Sequence, residues 1–447
     1  MKKRYSLSPA QIIVLGFLGL IAIGTAFLLL PFSSRAGGSA PFETAFFTAA
    51  SASCVTGLVI EDTAQYWTLF GQAVILVLIQ IGGMGVVTMA ILIIMFSGKK
   101  IGLKQRWIMQ ESISAPSTGG ILKLTGMILR VTLALELCGA VLLAFRFCPR
   151  FGLWQGIWYS VFHSISAFCN AGFDLMGSQG APFASLTAFT GDTLVSIVIA
   201  VLILAGGIGF VTWQDIRTQR FHLRRYTLQS KLILAVTALL LLGGFCFNYF
   251  YEFALPRWDH LTGGARVTAA FFQTVTPRTA GFNTVDLNNL SPAGQLFTLF
   301  MMLIGGAPGS TAGGFKMTTI AVLALCIRAA FRGKSNPEVF GRRISNQAVR
   351  SAAALFIVYL LLFLSAAFVL VALDGVTLMP ALFETASAIA TVGLSLGVTP
   401  TLCTLSHILL ALLMYFGRVG GLTLIYAAAA GESPSDAKFP EEHVAIG

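Results

Sequence analysis

Long runs of uncharged, apolar residues constrain the fold of this chain more than any other feature of its sequence. A membrane-spanning helix takes about 20 residues. Five runs without a charged side chain reach that length, at 10–31, 68–98, 193–214, 232–251 and 351–373. Three further runs carry one or two charges each, at 124–145, 293–327 and 402–430. The sequence therefore predicts an all-α polytopic membrane protein with eight spans that lies within a lipid bilayer.

Composition and charge agree with this class. Apolar residues make up 56% of the 447 residues and charged residues only 11%, whereas about a quarter of a soluble domain is charged. Lys and Arg concentrate in the N-terminal tail and in 99–123, 217–231 and 328–350. By the positive-inside rule, these segments and both termini are predicted to be cytoplasmic. The formal net charge of +11 is thus a topology signal, and no nucleic-acid partner is predicted.

Four stretches between the spans are apolar but too short to cross a bilayer. They lie at 41–56, 154–171, 265–280 and 377–392. Each is predicted to be a short helix that enters the membrane and returns. Because backbone at that depth is tolerated only where protein or a water-filled cavity surrounds it, these helices are expected to surround one central pore.

A fourfold internal repeat relates these segments. One glycine follows each short helix at near-equal spacing along the chain: Gly57, Gly172, Gly281 and Gly393. A phenylalanine stands ten residues before each of them: Phe47, Phe162, Phe271 and Phe383. Each unit is predicted to run helix, pore helix, glycine strand, helix in a pseudo-fourfold arrangement, with units at 1–110, 111–225, 226–340 and 341–447.

A second glycine cluster follows in each unit, inside its second span. The pairs are Gly82-Gly83, Gly206-Gly207, Gly305-Gly306 and Gly420-Gly421. Close helix packing is the preferred interpretation for Gly82 and Gly206.

Side chains just before the four strand glycines vary while the glycines do not, which is typical of strands whose backbone carbonyls carry the function. Carbonyl rings replace the hydration shell of a potassium ion, and glycine reaches the required backbone angles at low cost. The predicted selectivity filter comprises Cys54, Val55, Thr56, Gly57, Cys169, Asn170, Ala171, Gly172, Arg278, Thr279, Ala280, Gly281, Ala390, Thr391, Val392 and Gly393.

Charged residues lie close to the predicted filter. The acidic residues Glu61, Asp62, Asp174 and Asp286 follow filter glycines and are expected to concentrate cations at the outer mouth. Arg278 is expected to point behind the filter toward Glu384 or Asp286, because a positive charge facing the ion would oppose binding.

The third unit carries a glycine-rich interruption, predicted to be a mobile gate beneath the filter. Its residues are Gly305, Gly306, Ala307, Pro308, Gly309, Ser310, Thr311, Ala312, Gly313 and Gly314, followed by Lys316. Such a composition disfavours a continuous helix. A fixed kink is the alternative, and a phosphate-binding loop is disfavoured because Met317 replaces the required Ser or Thr.

Arg418 interrupts the last span and is assigned to the gate as an electrostatic barrier to cations. The alternative is a structural arginine paired with backbone carbonyls or with an acidic partner.

Other chemistry finds no support in the sequence. His163 and His407 are isolated in apolar segments and are interpreted as packing histidines, and the seven cysteines show neither disulfide nor metal spacing. No nucleophile, base and orienting acid stand together, so no catalytic residues, covalent cofactor or enzyme activity is predicted. The predicted metal is potassium at the filter only.

With these motifs, the chain resembles the Trk/Ktr/HKT superfamily of potassium transporters, and within it the membrane subunits of the Ktr type. The resemblance covers the whole chain and is most specific at 276–283, 304–316 and 416–421. It implies potassium uptake by a homodimer in the bacterial plasma membrane, docked on a cytoplasmic ring of nucleotide-binding regulatory subunits like KtrA. It leaves open sodium as a coupling or activating ion.

An alternating-access carrier coupled to sodium or protons is the alternative function. Such carriers also contain internal repeats and broken helices, but their repeats are usually two large halves. Four short units favour the pore.

Overall fold

The structure is a computed structural model that describes residues 7–96, 102–112, 120–179, 181–220, 222–334, 336–421, 423–424 and 442. Helices dominate this part of the chain, with one antiparallel hairpin that pairs Glu338–Val339 with Arg342–Arg343. The predicted all-α class is confirmed. The predicted C-terminal tail and the end of the predicted span 402–430 lie outside the described residues.

Four long helices match the predicted first span of each unit. They are Pro9–Leu28, Ile121–Phe151, Leu228–Phe250 and Asn346–Asp374. Side-chain caps explain where three of them begin, since Ser8, Thr227 and Ser345 each accept a hydrogen bond from a backbone N–H three residues on. Each is long and apolar enough to cross a membrane. Leu239 and Leu242 are 70% and 67% exposed, as expected for side chains solvated by lipid.

A short helix follows each long one, as predicted. The four short helices are Phe42–Cys54, Leu153–Phe168, Gly263–Val275 and Leu378–Ile389. At 1.5 Å per residue even the longest, with 16 residues, falls short of the roughly 30 Å hydrocarbon core of a bilayer. We call these the pore helices.

The second helix of every unit is broken, so the predicted spans 68–98 and 193–214 each consist of two helices. The first unit has Leu69–Met84 and Val86–Phe96, and the second has Thr193–Gly207 and Phe210–Gln219, which are bent by 94°. The third has Pro292–Leu303 and Met317–Phe331 around the predicted interruption. The fourth has Thr404–Val419, with helical residues again at 423–424.

Three of these breaks share one cause. Gly85, Gly209 and Gly420 adopt φ of 86°, 86° and 89° with ψ of 132°, 141° and 130°. Side chains essentially exclude this region of the backbone map, so a helix turns there only at glycine. The length of an apolar run does not reveal the turn, because glycine changes the backbone dihedral angles without adding a polar residue to the run.

The glycines three residues earlier provide close packing, as predicted for Gly82 and Gly206. A Cβ atom on Gly82, Gly206 or Gly417 would clash with the last backbone carbonyls of a pore helix, those of Ser53, Phe168 and Ile389. Gly417, not Gly420, therefore occupies the packing position of the fourth unit. The predicted register of that pair was wrong by three residues, because Gly420 corresponds to Gly85 and Gly209.

Buried phenylalanines anchor the pore helices in the core. Phe47, Phe162 and Phe383 are fully buried, but in the third unit the fully buried ring is Phe272, while Phe271 is half-buried. The spacing from buried ring to strand glycine is therefore one residue shorter in the third unit than in the others.

Candidate functional site

The four strand glycines share one backbone conformation. Their φ angles are all positive, at 94° for Gly57, 70° for Gly172, 80° for Gly281 and 90° for Gly393. The residue two positions earlier is also left-handed, with φ from 50° to 64° at Val55, Asn170, Thr279 and Thr391. Three of these four are β-branched, for which the left-handed region costs roughly 1–3 kcal/mol each. Strain of this kind is typical of functional sites.

The glycines also form a closed ring, which we call the glycine ring. A Cβ atom on Gly57 would lie 2.5 Å from the carbonyl oxygen of Ala171, and one on Gly172 would lie 2.9 Å from that of Ala280. One on Gly281 would lie 2.6 Å from that of Val392, and one on Gly393 would clash with that of Thr56. Each strand thus touches the carbonyl that precedes the glycine of the next unit, in the order one, two, three, four, one.

Backbone groups rather than side chains dominate this ring. All predicted filter residues that precede the glycines are at most 4% exposed, while the four glycines line a cavity. Carbonyl oxygens converging from four strands can replace the hydration shell of a monovalent cation.

Hydroxyl side chains at the ends of the pore helices hold the strands, and sequence reasoning missed them. Ser51 and Ser387 accept hydrogen bonds from the N–H of Gly57 at 3.0 Å and of Gly393 at 2.9 Å. Ser166 and Thr276 instead donate to the carbonyls that follow the glycines, those of Phe173 and Phe282. A hydroxyl residue stands six residues before the glycine in three units and five residues before it in the third. An alignment that allows for this one-residue shortening of the third unit would have revealed the four hydroxyl residues.

The cavity on one side of the glycine ring has a volume of about 450 Å³ and is lined by Asp62, Asp174 and Asp286. We call it the acidic cavity, since no Lys or Arg is among the described residues that line it. Glu61, predicted to belong to the same mouth, is not among them. Asp62 links two units, because its oxygens accept from the N–H groups of Ala64 at 2.9 Å and Phe183 at 2.8 Å.

Asp174 has an unusual protonation equilibrium. Burial raises its pKa to about 7, and the nearby charge of Asp62 acts in the same direction, while the hydrogen bond from the Met176 N–H opposes the rise. The contribution of the Asp174 carboxylate to the negative electrostatic potential of the acidic cavity therefore depends on pH near neutrality.

The interruption of the third unit, Gly305–Gly314, packs directly against two other units. Its backbone bonds to the broken helices, with Ala307 N–H on the Gly207 carbonyl at 2.9 Å and Gly314 N–H on that of Gly417 at 3.1 Å. A Cβ atom on Gly314 would lie 2.6 Å from the carbonyl oxygen of Ala390, at the end of a pore helix. The segment therefore contacts the broken helices of the second and fourth units and the end of a pore helix.

A second cavity, of about 310 Å³, lies against this segment and is lined by Lys316 and Arg418 together with Glu111. We call it the basic cavity. Lys316 Nζ donates to the carbonyls of Ala312 at 2.8 Å and Gly313 at 3.2 Å. The cavity thus brings two basic side chains and one acidic side chain together.

Arg418 ties the segment to the first unit. Its guanidinium donates to the carbonyls of Gly82 and Thr311, and to that of Gly83 at 2.9 Å. These are the bonds to backbone carbonyls that were expected of a structural arginine. The Arg418 side chain also lines the basic cavity. The role of Arg418 as an electrostatic barrier stays a prediction.

The predicted ion pair of Arg278 is wrong. Its guanidinium is buried behind the strand and donates to Thr237 Oγ1 at 3.3 Å. Glu384 is instead occupied by hydroxyls of its own unit, Ser395 at 2.5 Å and Thr399 at 2.6 Å. Arg278 therefore reaches the long helix of its own unit, 41 residues earlier in the chain, and a local sequence pattern does not reveal such a contact.

The two histidines are hydrogen-bonded packing residues, as predicted. His163 Nδ1 lies 2.7 Å from the Tyr159 carbonyl, and His407 lies between Glu43 Oε1 at 2.5 Å and the Thr399 carbonyl at 2.7 Å. No group of three or more His, Cys, Asp or Glu side chains suited to a metal ion occurs in the described part of the chain.

Apolar helices long enough to cross a membrane, together with the glycine ring and its backbone carbonyls, define a membrane protein of the ion-transporting class. The family described as TrkH, cation transport protein, matches residues 3–439. The chain belongs to this family of ion transporters, and it is not an enzyme.

Individual relatives agree. The chain is 41% identical to the potassium/sodium uptake protein NtpJ of Enterococcus hirae, over 100% of this chain and 99% of the relative. It is 38% identical to the Ktr system potassium uptake protein B of Bacillus subtilis, over 98% and 97%. The solved structure of the potassium transporter TrkH from Vibrio parahaemolyticus covers 95% of this chain and 86% of its own, with a TM-score of 0.72 and 22% identity. That likeness supports the fold.

Proposed function

We propose that this chain takes up potassium across the bacterial plasma membrane through the glycine ring, gated by Gly305–Gly314. The observation that carries the proposal is the closure of the ring, in which each of four strands meets the carbonyl of the next. The units at 1–110, 111–225, 226–340 and 341–447 then each contribute one strand. The names of the relatives support potassium as the transported ion, and they are compatible with sodium as a coupling or activating ion.

The two cavities support an orientation of the chain in the membrane. The basic cavity is lined by Glu111 and Ser112, which belong to the basic segment 99–123 that the positive-inside rule assigns to the cytoplasm. The acidic cavity then faces outward and concentrates cations above the ring. Both termini lie in the cytoplasm.

Partners are proposed from the resemblance. Relatives named as parts of a Ktr system support a membrane subunit that works with other components. We infer a homodimer docked on a cytoplasmic nucleotide-binding ring that acts on the gate.

Rubidium uptake tests the proposal. Purified chain in potassium-loaded proteoliposomes should accumulate rubidium, and external potassium should inhibit this uptake at much lower concentration than sodium does. Protein-free vesicles are the control. Equal inhibition by the two ions would contradict a potassium-selective ring.

Uptake should also depend on external pH through Asp174. Because burial raises its pKa to about 7, the carboxyl is charged at pH 8 and neutral at pH 6. We expect the KM for rubidium to rise about twofold to fivefold between pH 8 and pH 6, from the loss of one nearby charge. Asp174→Asn should show the high KM at both pH values.

Asp259→Asn, which changes an exposed carboxylate outside the acidic cavity, is the matched control and should keep the wild-type pH profile. An unchanged profile in Asp174→Asn would assign the pH response to another group.

A further inference from the structure

Thr311, in the gate segment, makes side-chain contacts that the gate proposal does not require. It is fully buried. Its hydroxyl lies 3.0 Å from the carbonyl of Phe168, the last residue of a pore helix, and 3.1 Å from Asn170 Oδ1. Its backbone carbonyl accepts from Arg418. One residue of the gate is therefore bonded both to the arginine below it and to a filter strand above it.

Asn170 continues the chain of bonds into the next unit. Its Nδ2 lies 3.2 Å from the carbonyl of Arg278 and 3.3 Å from Thr279 Oγ1. A carbonyl only accepts, so the amide nitrogen must face Arg278 and the amide oxygen must face Thr311. The donor toward Asn170 is then the Thr311 hydroxyl, which shares its one proton between Asn170 Oδ1 and the Phe168 carbonyl. The bonds run from gate to second strand to third strand.

The other units lack this connection. Val55, at the corresponding position of the first strand, has no polar group, and the Thr391 hydroxyl is buried without a hydrogen-bond partner among the described residues. The chain also keeps space for the contact at Gly206. A Cβ atom there would lie 2.5 Å from Thr311 Oγ1 and 2.8 Å from Asn170 Oδ1, so glycine permits the gate to reach the strand.

We propose that Thr311 is a positioning residue that sets ion selectivity through Asn170. This inference rests on the proposed function of the glycine ring and adds that ring and gate are coupled. With Thr311 in place, Asn170 donates to the carbonyl of Arg278 and to the side-chain hydroxyl of Thr279, two residues before Gly281. When the gate withdraws, the buried Asn170 amide loses its donor, and the second and third strands lose their common brace. Selectivity is therefore a property of the gate position as well as of the ring.

Two variants test the coupling. Thr311→Val removes the hydroxyl at nearly constant shape, and Asn170→Gly removes the amide while glycine accepts the left-handed backbone. In proteoliposomes, each should lower the ratio of potassium to sodium competition against rubidium by roughly twofold to tenfold, the range for one buried hydrogen bond. The double variant should lose no more than either single one. Thr311→Ser, which keeps the hydroxyl, should retain the wild-type ratio.

Thr212→Val is the matched control, because its buried hydroxyl has no hydrogen-bond partner among the described residues and lies outside ring and gate. Wild-type ion ratios in Thr311→Val and Asn170→Gly, with Gly281→Ser altered in the same assay, would overturn the coupling and leave the ring proposal intact. Wild-type ratios in all three would overturn both. Should Thr311→Val fail to fold, Asn170→Gly decides by the same readout.

Discussion

Serine at Gly281 should remove most of the preference for potassium over sodium. A Cβ atom at this position would lie 2.6 Å from the Val392 carbonyl oxygen and 2.9 Å from the Cα of Gly172. The backbone φ of 80° is also one that serine adopts only with strain. Because the contacts are backbone atoms on both sides, the ring has to widen. We expect the ratio of potassium to sodium competition to fall about tenfold or more, since such strain amounts to roughly 1–3 kcal/mol.

Gly57→Ser should act similarly, with its Cβ 2.5 Å from the Ala171 carbonyl oxygen. Gly375→Ser is the matched control. Its φ is 66° and nothing lies within 4 Å of an added Cβ, so it carries the backbone strain without the clash. Rubidium uptake with competing potassium or sodium measures the ratio. Folded Gly281→Ser and Gly57→Ser proteins with wild-type ratios would show that these glycines do not form the filter.

Deletion of residues 307–312 should raise basal potassium flux strongly. The deletion removes the backbone bonds of Ala307 to Gly207 and of Thr311 to Gly206, and the Thr311 carbonyl that accepts from Arg418. The bond from the Gly314 N–H to the Gly417 carbonyl remains, so what is left of the gate segment is held at one end only. We expect at least a roughly tenfold rise, equivalent to a shift of about 1.4 kcal/mol in the balance of closed and open states. Flux should also depend less on the cytoplasmic partner.

Arg418→Gln provides a milder variant of the same experiment. Glutamine removes the positive charge and cannot reach Gly82, Gly83 and Thr311 together, so basal flux should rise by a smaller factor. Arg332→Gln, at an exposed arginine outside the basic cavity, is its control. If folded deletion protein in vesicles still conducts only with the partner present, the gate lies outside 307–312.

Sequence patterns predicted the features that depend on composition and register. The long helices follow from apolar runs of spanning length, and the pore helices from apolar stretches too short to cross. The four strand glycines followed from register, since they recur at near-equal spacing with a phenylalanine ten residues before each. The interruption at Gly305–Gly314 was visible because glycine and proline are concentrated there.

Features that depend on dihedral angles or distant contacts were not predictable in this way. Gly85 and Gly209 break helices inside apolar runs, and only their φ distinguishes them from packing glycines. The third unit is one residue shorter between its buried phenylalanine and its glycine. Aligning the units on the glycine therefore matched Phe271, and not Phe272, to the buried rings of the other units. Arg278 and Thr237 lie far apart along one unit, and Thr311 and Asn170 belong to different units. Each pair meets only in the folded chain, and no local pattern encodes such a contact.

Closure of the ring has a consequence for biosynthesis. Gly57 meets the second strand on one side, while Gly393 of the fourth unit lies against Thr56 and Gly57 on the other. A ribosome makes the first strand long before the last, so the first strand emerges without one of its two neighbours. Membrane insertion must then tolerate an incomplete ring until the final pore helix arrives. Helices can form one at a time, but the ion-binding backbone is completed in a single late step, and a chain that ends before residue 393 lacks a quarter of it.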